Sequence, residues 1–390
     1  MGMAKSAIHR RQPALSEYNT AMRQPDIQRR PSRAVVVGKL TIGGGAPVSV
    51  QGMTKTHTTD VEATIAQIQA MVQAGADLVR LAVPTRQDTA ALRQIIPRCT
   101  VPIVADVHFH FDRALEAIDA GVAKIRLNPG NISDHAQVRR VIAAATDAGV
   151  AIRVGVNEGS VVDRAEGARR SSDLARPLDE LMVEKLAEYL EVFHQERFSN
   201  LVLSAKSHDA FTTIAAYRRM ARRWSYPLHL GVTHSGTPAT GAVRSAAALG
   251  ALLSEGIGDT IRVSYAGDPV CEVQAAADLL CSLRLRPRVG VDLVACPTCG
   301  RTAMDVVRLA EDVRAALADL KAPITVAVMG CVVNGPGEAA NADVAVCAGD
   351  GKAAIYRKGK VLRSVEASQI VASVVAEARK AAEEMGHRNA

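Results

Sequence analysis

Three cysteines and one glutamate in the last third of the 390-residue chain have the types and spacing of ligands to a metal centre. Cys296 and Cys299 stand in "ACPTCGRT", with the two-residue gap that lets two thiolates bind one centre from a single turn. Cys331 opens "CVVNGPGE", and Glu338 ends it. The sets of four Cys or His ligands that structural zinc sites use are incomplete here, and a lone Cys-x-x-Cys pair also occurs in thioredoxin-like proteins.

Three thiolates and one oxygen ligand suit an iron-sulfur cluster in which one iron is distinct, and a carboxylate is a hard, exchangeable ligand for that iron. The segment from Asn334 to Gly337 predicts a tight turn that lets the backbone approach the cluster and directs Glu338 toward it. A surface turn with an exposed glutamate is the alternative, and the three cysteines favour the cluster. The other four cysteines are predicted to be inert thiols: Cys99, Cys271, Cys281 and Cys347.

Five cations lie inside otherwise apolar strand segments: Arg80, Arg126, Arg153, Lys206 and Arg262. An uncompensated charge in a packed interior costs several kcal/mol, so each must meet an anion or water. Polar residues stand on the same strands or just beyond them: Asp106, His108, Asn128, Asn157, Ser207 and Ser264. Since arginine grips phosphate oxygens bidentately, the set predicts a site for a small phosphate or diphosphate compound. The alternative is a set of structural salt bridges.

The elements that must position these residues alternate between short β-branched runs and segments of helical period from about residue 47 onward. Eight such runs, from "PVSVQGM" to "TIRVSYA", favour a closed parallel barrel over a doubly wound sheet. The pattern changes after "RLRPRVG" to a mixture of strands and helices. The fold class is therefore α/β, a (β/α)8 TIM-type barrel followed by a small α+β domain. The expected domains are a basic N-terminal arm (1–40), a substrate-binding barrel (41–285) and a cluster-bearing domain (286–390).

Composition and charge narrow the class of protein further. The chain is 48% hydrophobic and only 3% aromatic, which suits helices packed on strands, and its net charge is +7. Six arginines in the first 33 residues supply much of the excess. No apolar stretch reaches the ~20 residues of a membrane span, so no membrane partner is expected. Seven cysteines, an odd number, without a secretory signal argue against a disulfide framework and indicate a soluble, cytoplasmic protein.

The motifs "ACPTCGRT", "GCVVNGPGE", "SEGIGDTIRVS" and "HLGVT", read together, resemble the 4-hydroxy-3-methylbut-2-en-1-yl diphosphate synthase family of the non-mevalonate isoprenoid pathway, in its bacterial two-domain type. The resemblance covers about residues 35 to 385. It implies a barrel that binds 2-C-methyl-D-erythritol 2,4-cyclodiphosphate and a domain that carries a 4Fe-4S cluster. Cys296, Cys299 and Cys331 would ligate three irons, and Glu338 would cap the fourth until substrate displaces it. The cations and polar residues above, with Asn334, would contact substrate.

The resemblance also implies partners and a reaction. The expected reaction is a two-electron reductive ring opening with loss of water, and a flavodoxin or ferredoxin delivers the electrons singly. Family members are head-to-tail homodimers in which each cluster closes the partner's barrel. One departure stands after "HLGVT", where the family commonly has Glu-Ala-Gly and this chain has His234, Ser235 and Gly236. His234 or water must then take over any role of that acid, or activity is altered.

Two other functions remain open at this point. The basic arm and the pI near 9.1 suit a nucleic-acid-binding protein with a zinc-stabilised terminal domain. Scarce aromatic residues and the placement of cations in strands argue against nucleic acid as a partner. A phosphate-sugar aldolase or isomerase on the same barrel, with a structural cluster, is the second alternative.

Overall fold

The computed structural model describes residues 27–107, 111–127, 135–161, 176–302, 304–331, 335–349 and 351–389. The chain divides into two compact units, with the boundary between Arg286 and Pro287. No helix among these residues is both long and apolar enough to cross a bilayer.

The first unit is built on ten strands: β1 (Val35–Val37), β2 (Leu40–Ile42), β3 (Ser49–Met53), β4 (Leu78–Ala82), β5 (Ile103–Asp106), β6 (Lys124–Leu127), β7 (Ala151–Asn157), β8 (Leu201–Lys206), β9 (His229–Leu230) and β10 (Thr260–Ile261). Its described helices are α1 (Val61–Gln73), α2 (Arg86–Ile95), α3 (Phe111–Asp119), α4 (His135–Asp147), α5 (Leu178–Gln195), α6 (Ala210–Arg223), α7 (Pro238–Ser254) and α8 (Pro269–Ser282).

Strands β3 to β10 form one parallel sheet in the order β8-β7-β6-β5-β4-β3-β10-β9. A parallel bridge between Leu203 and Leu228 joins β8 to the approach of β9, so the sheet closes into a barrel. The helices that follow the strands pack outside it, and the apolar layer between sheet and helices is the main core. The predicted eight-unit barrel is confirmed.

The segment before the barrel closes its amino-terminal end. Strands β1 and β2 pair antiparallel, and Val35, Val37 and Ile42 pack with the inward residues at the amino ends of four barrel strands. The described part of the predicted basic arm is thus bound to the barrel. Arg29 donates to Asp259 at 2.9 Å, and Arg30 donates to the carbonyls of Trp224 and Tyr226 at 2.8 Å each. Residues 1–26 lie outside the described residues.

The second unit is a five-stranded sheet with helices. Its strands, in the spatial order β11-β12-β13-β14-β15, are β11 (Asp292–Ala295), β12 (Thr325–Met329), β13 (Val344–Ala348), β14 (Lys352–Arg357) and β15 (Lys360–Glu366). The first three are parallel and the last two antiparallel. Its described helices are α9 (Val306–Ala316), α10 (Gly335–Glu338) and α11 (Ile370–Asn389). The small α+β domain is confirmed, with β15 as a strand that the sequence pattern had not indicated.

The two faces of the second sheet have different partners. On β12, Val326 and Val328 pack with α9 and α11 in the unit's larger core. Ala327 and Met329 face the other way, toward a smaller cluster that includes Ala339 and Cys347. Strand alternation therefore directs the second face toward the segment that carries α10 and the cysteines.

Candidate active site

The strand cations point into the barrel. Successive strand residues alternate between the two faces, and on β6 Ile125 and Leu127 belong to the core between sheet and helices. Lys124 and Arg126 therefore face the interior. The same argument places the other cations there: Arg80 lies between Val79 and Leu81, Arg153 between Ile152 and Val154, and Lys206 follows Ala205. The structure thus brings the predicted cations together in one enclosed space.

Two carboxylates balance part of this charge. Asp106 at the end of β5 lies 3.4 Å from Nη1 of Arg126 and 3.7 Å from Nε of Arg80. Arg80 also donates to the Sδ atom of Met53, at 2.7 Å from Nη2. The structural salt bridges that the sequence left as an alternative are therefore present for these two arginines.

Glu272 of α8 is the second carboxylate, and only 2% of it is exposed. It lies 3.5 Å from Nη2 of Arg262 and accepts from Lys55 at 2.8 Å and from the amide of Tyr265 at 3.0 Å. Burial, then the charge of Arg80, lowers the pKa of Arg262 to about 10, although Glu272 opposes the shift. Glu272 thus anchors the cation that follows β10.

Arg153 and Lys124 lie deepest. Lys124 pairs in register with Val104 and Ala151, which pack with the β1–β2 hairpin at the closed amino-terminal end of the barrel, so Lys124 lies next to that end. Lys124 is 0% exposed and Arg153 2%. Among the described residues, Nζ of Lys124 and Nε and Nη1 of Arg153 have no hydrogen-bond partner. Buried donors without partners are rare in native proteins and indicate a charge that a ligand would satisfy.

The predicted polar residues differ in how they are used. Ser207 donates to Glu158 at 2.8 Å and Ser264 to the carbonyl of Val232 at 3.1 Å, so both hydroxyls have protein partners. Asn157 ends β7 opposite Lys206. Burial raises the pKa of Glu158, but hydrogen bonds from His208 and Ser207 outweigh it, so the pKa lies below its ordinary value. His108 and Asn128 lie outside the described residues.

Sequence reasoning missed three residues of this interior. Lys124 carries the same signal as Arg126, because both stand at alternate positions of one apolar strand. Glu272 gives no such signal, since an acid in the first turn of a helix is ordinary and usually exposed. Lys55 follows β3 and holds three oxygens, those of Tyr265, Gly267 and Glu272. Only the structure shows that it joins α8 to the end of β3.

Two of the three cysteines predicted to be ligands follow adjacent parallel strands of the second unit. Cys296 comes after β11, and its amide donates to the carbonyl of Val328 at 2.9 Å, which continues the β11–β12 ladder. Cys331 follows β12 after Gly330. Because carboxyl ends of neighbouring parallel strands meet at one edge of a sheet, residues 35 positions apart in the chain become neighbours.

The turn that carries Cys299 is fixed locally. Thr302 donates its amide to the carbonyl of Cys299 at 2.9 Å, and the amide of Cys299 donates to Oγ1 of Thr302 at 3.0 Å. Thr298 has a φ of 64°. Gly330 lies under this turn, where a Cβ atom would stand 3.0 Å from the Thr302 methyl group. The absence of a side chain at Gly330 therefore lets the turn approach the strand end.

Cys296, Cys299 and Cys331 line one cavity of about 160 Å³, together with Arg301, Met329 and Gly335. No three Cys, His, Asp or Glu side chains among the described residues converge closely enough to hold a single metal ion. Three thiols that line one cavity are the donors that iron-sulfur clusters use. The donor set therefore fits an iron-sulfur cluster.

The predicted tight turn before Glu338 is in part a helix. Gly335 to Glu338 form the single turn α10, and the side chain of Glu338 and the whole of Asn334 lie outside the described residues. Gly335 packs on β12 and β13, where a Cβ atom would lie 2.9 Å from Sγ of Cys347 and 3.0 Å from Cβ of Met329. Burial, then the charge of Cys331, raises the pKa of Cys347 to about 11, so this thiol is protonated near neutral pH.

His234 stands beyond the end of β9, exposed and with a φ of 51°. The neighbouring Ser235 donates to the carbonyl of Ser264, and its own carbonyl accepts from Arg244 at 3.2 Å. The backbone beside His234 is thus held to the segment after β10, and its imidazole lies on the carboxyl-end side of the barrel.

Two family models match the chain and together span most of it. Residues 32–277 match the GcpE TIM-barrel domain, and residues 292–380 match the GcpE protein C-terminal domain.

Curated relatives match along nearly the whole chain. A protein of Salinispora tropica is 47% identical over 93% of this chain and 92% of its own length. A protein of Acidothermus cellulolyticus is 46% identical over 93% and 92%, and one of Cutibacterium acnes is 46% identical over 92% and 93%. Each of these relatives is named 4-hydroxy-3-methylbut-2-en-1-yl diphosphate synthase (flavodoxin).

Proposed function

The chain belongs to the GcpE family, and on that premise we propose that it reduces 2-C-methyl-D-erythritol 2,4-cyclodiphosphate to (E)-4-hydroxy-3-methylbut-2-en-1-yl diphosphate. It is an oxidoreductase of isoprenoid precursor synthesis. The observation that carries this function is the pair of features on one chain: a barrel interior crowded with cations and a cavity lined by three thiols.

The barrel residues bind and orient the diphosphate. The positive charge comes from Arg80, Arg126, Arg153, Lys206 and Arg262, and Asp106 holds Arg80 and Arg126 in the interior. The cyclic substrate carries one charge on each phosphate, whereas the terminal phosphate of the open product carries a second ionisable oxygen. The interior cations therefore stabilise charge that grows during the reaction, which is the condition for electrostatic catalysis. Asn128, Asn157, Ser207 and Ser264, with Asn334, contribute neutral contacts.

The thiol cavity is the site of the 4Fe-4S cluster in this proposal. Cys296, Cys299 and Cys331 would hold three irons, and Glu338 would be the exchangeable ligand of the fourth. When bound, such a cluster supplies low-potential single electrons. Arg301 lies at the rim of the cavity and offsets negative charge from the thiolates. Two electrons and one proton open the ring, and the hydroxyl that leaves the carbon skeleton departs as water.

The partners follow from the same premise. The names of the relatives give flavodoxin as the electron donor, and a ferredoxin is the other small carrier that delivers single electrons. A homodimer whose active sites combine the barrel of one subunit with the cluster of the other would bring the two features together. We place the enzyme in the cytoplasm, where low-potential reductants and reduced thiols are available.

The cluster proposal is tested on anaerobically purified and reconstituted protein. About four iron and four sulfide per chain and a broad absorption band near ~400 nm are expected. Cys331→Ser should lose most of this iron, whereas Cys271→Ser, at an exposed cysteine on α8, should keep it. Zinc as the bound metal, without sulfide, would contradict the proposal and support the zinc-stabilised alternative. Turnover of the cyclodiphosphate without a reductant would instead support an aldolase or isomerase.

A further inference from the structure

The barrel interior holds more positive charge than its own carboxylates balance. Six cations point into it, and the described strands and helices supply two carboxylates, Asp106 and Glu272, which already pair with three of the six. The other three cations have no described carboxylate within ion-pair distance: Lys124, Arg153 and Lys206. A group of buried cations in this state must bind an anion or give up protons.

Arginine and lysine respond differently to this environment. A guanidinium keeps its proton in proteins, whereas a buried amine loses its proton readily. Arg153 therefore stays charged and makes the charged state of its lysine neighbours costlier. Burial, then the charges of Arg153 and Arg80, lowers the pKa of Lys124 far below its ordinary value. Burial, with the same two arginines foremost, does so for Lys206.

The groups that face Lys124 offer no compensation. The titratable groups linked to Lys124 through the interior are Arg80 of β4, Arg153 of β7 and His229 of β9. The interior acid Asp106 already lies beside two arginines. Burial, together with the charges of Arg153 and Arg80, lowers the pKa of His229 well below its ordinary value, so its imidazole is neutral. Lys206 packs against Gly231, where a Cβ atom would lie 2.6 Å from Nζ.

We propose that Lys124 and Lys206 are neutral amines in the empty barrel and take up protons from solvent when a dianionic phosphate ligand enters. Each uptake converts one amine to an ammonium, and the charge of the ligand offsets the desolvation that kept the proton off. Lys124 is then a positioning residue that acts from below the arginines that hold the ligand. The inference rests on the proposed function only for the identity of the ligand, since the cations and their burial are features of the empty barrel.

Ligand-free protein gives the first test. An amine that is neutral in the native state and charged when unfolded binds fewer protons in the native state, so stability rises with pH. The rise spans the interval from the lowered native pKa to the unfolded value near ~10.4. Each such proton changes the unfolding constant up to about tenfold per pH unit. Chemical unfolding of the cluster-loaded, anaerobic protein measures the free energy of unfolding at each pH. This free energy should rise less with pH in Lys124→Met than in the native chain.

Sulfate gives the second test, because it is a dianion without a proton equilibrium near neutral pH. Its dissociation constant, taken from the shift in the unfolding midpoint, should increase as the pH rises from about 7 to 9. The increase is up to tenfold per pH unit for each linked proton. Lys124→Met should flatten this dependence. Lys39→Met, at an exposed lysine between β1 and β2, should leave it unchanged.

Three outcomes overturn the inference: no stabilisation by sulfate, a dissociation constant independent of pH in the native chain, or equal slopes in the native chain and Lys124→Met. The cyclodiphosphate, titrated without reductant, separates this inference from the proposed function. If the cyclodiphosphate does not bind but sulfate binding is linked to proton uptake, the substrate assignment is wrong and the proton uptake is still supported. Binding of the cyclodiphosphate without a pH dependence removes the proton uptake and leaves the substrate.

Discussion

Arg126 shows how one residue serves both the fold and a ligand. Its Nη1 lies 3.4 Å from Asp106, and only 5% of the residue is exposed. Burial lowers the pKa of Arg126, and the charge of Asp106 opposes that shift. The carboxylate thus keeps the arginine charged and oriented in the empty barrel. A phosphate oxygen that arrives finds a donor already in place, which reduces the cost of ordering it.

Arg126→Ala should therefore raise the KM for the cyclodiphosphate. A hydrogen bond to a charged group is worth about 1.5–3 kcal/mol, which corresponds to roughly 10- to 100-fold. Steady-state kinetics of the reconstituted protein measures the change. Arg93→Ala, which removes a surface arginine paired with Asp119, serves as the control and should leave KM unchanged. An unchanged KM in Arg126→Ala would remove this arginine from the ligand site.

The contrast between Lys124 and Glu272 shows what sequence can reveal about single residues. A cation at an alternate position of an apolar strand must face a barrel interior. The pattern that predicts Arg126 as an interior cation therefore also predicts Lys124. Glu272 could not be predicted in this way, because its burial depends on the packing of α8 beside the end of β3, where Lys55 donates to it. That contact joins residues 217 positions apart and has no local pattern.

The short helix α10 depends on what lies beneath it. Gly335 begins the helix that ends at Glu338, and it rests on Cys347 of β13 and Met329 of β12, which are paired in register. The strands therefore fix the start of the segment that presents Glu338. Sequence predicted a tight segment there from its glycines and proline, but not its support, since Cys347 had been interpreted only as an inert thiol.

Gly335→Ala should displace or destabilise this segment, because its Cβ atom would lie 2.9 Å from Sγ of Cys347 and 3.0 Å from Cβ of Met329. Overpacking of this kind costs about 1–3 kcal/mol. Gly337→Ala, in the same helix, meets nothing within 4 Å and is the matched control. Denaturant unfolding compares the two. Equal changes in stability in the two variants would show that contact with Cys347 and Met329 does not decide the outcome.

Cys347→Ala should relieve part of the cost of Gly335→Ala. The double variant should then be more stable than the sum of the single effects, with a coupling of about 0.5–3 kcal/mol. The same unfolding experiment measures this coupling. Strict additivity would mean that the two residues do not contact each other in solution.

Sequence predicted the elements of the barrel well and its end closure poorly. The eight strands alternate with helices, and that period is a local signal. The hairpin of β1 and β2 lay in residues assigned to the arm up to residue 40, because three-residue strands flanked by arginines give little pattern. The sequence predicts a basic arm from the arginines of this segment. In the structure, Arg29 and Arg30 instead pair with the buried Asp259.

The whole molecule presents its chemistry on two separate units, the barrel and the domain after Pro287. The proposed homodimer, in which each barrel uses the partner's cluster, makes a prediction that single variants cannot. Arg126→Ala leaves the thiol cavity intact, and Cys331→Ser leaves the barrel intact. Unfolded and refolded together, the two weak variants should form mixed dimers with one complete site, and activity should return to about one quarter of the native value.

Each variant refolded alone is the control for that experiment. At a substrate concentration well below its raised KM, Arg126→Ala should be weakly active, and Cys331→Ser should be inactive. If each active site lies within a single subunit, the mixture would be no more active than the two variants refolded separately. Sedimentation of the mixture confirms that dimers have formed.

The most direct measurement is product formation from the cyclodiphosphate by reconstituted protein, with and without a low-potential one-electron reductant. We expect the native chain and Cys271→Ser to form the hydroxymethylbutenyl diphosphate only when the reductant is present, and Cys331→Ser to form none. Full activity of Cys331→Ser, or product formation by the native chain without reductant, would contradict the assignment of the thiol cavity as the reducing centre.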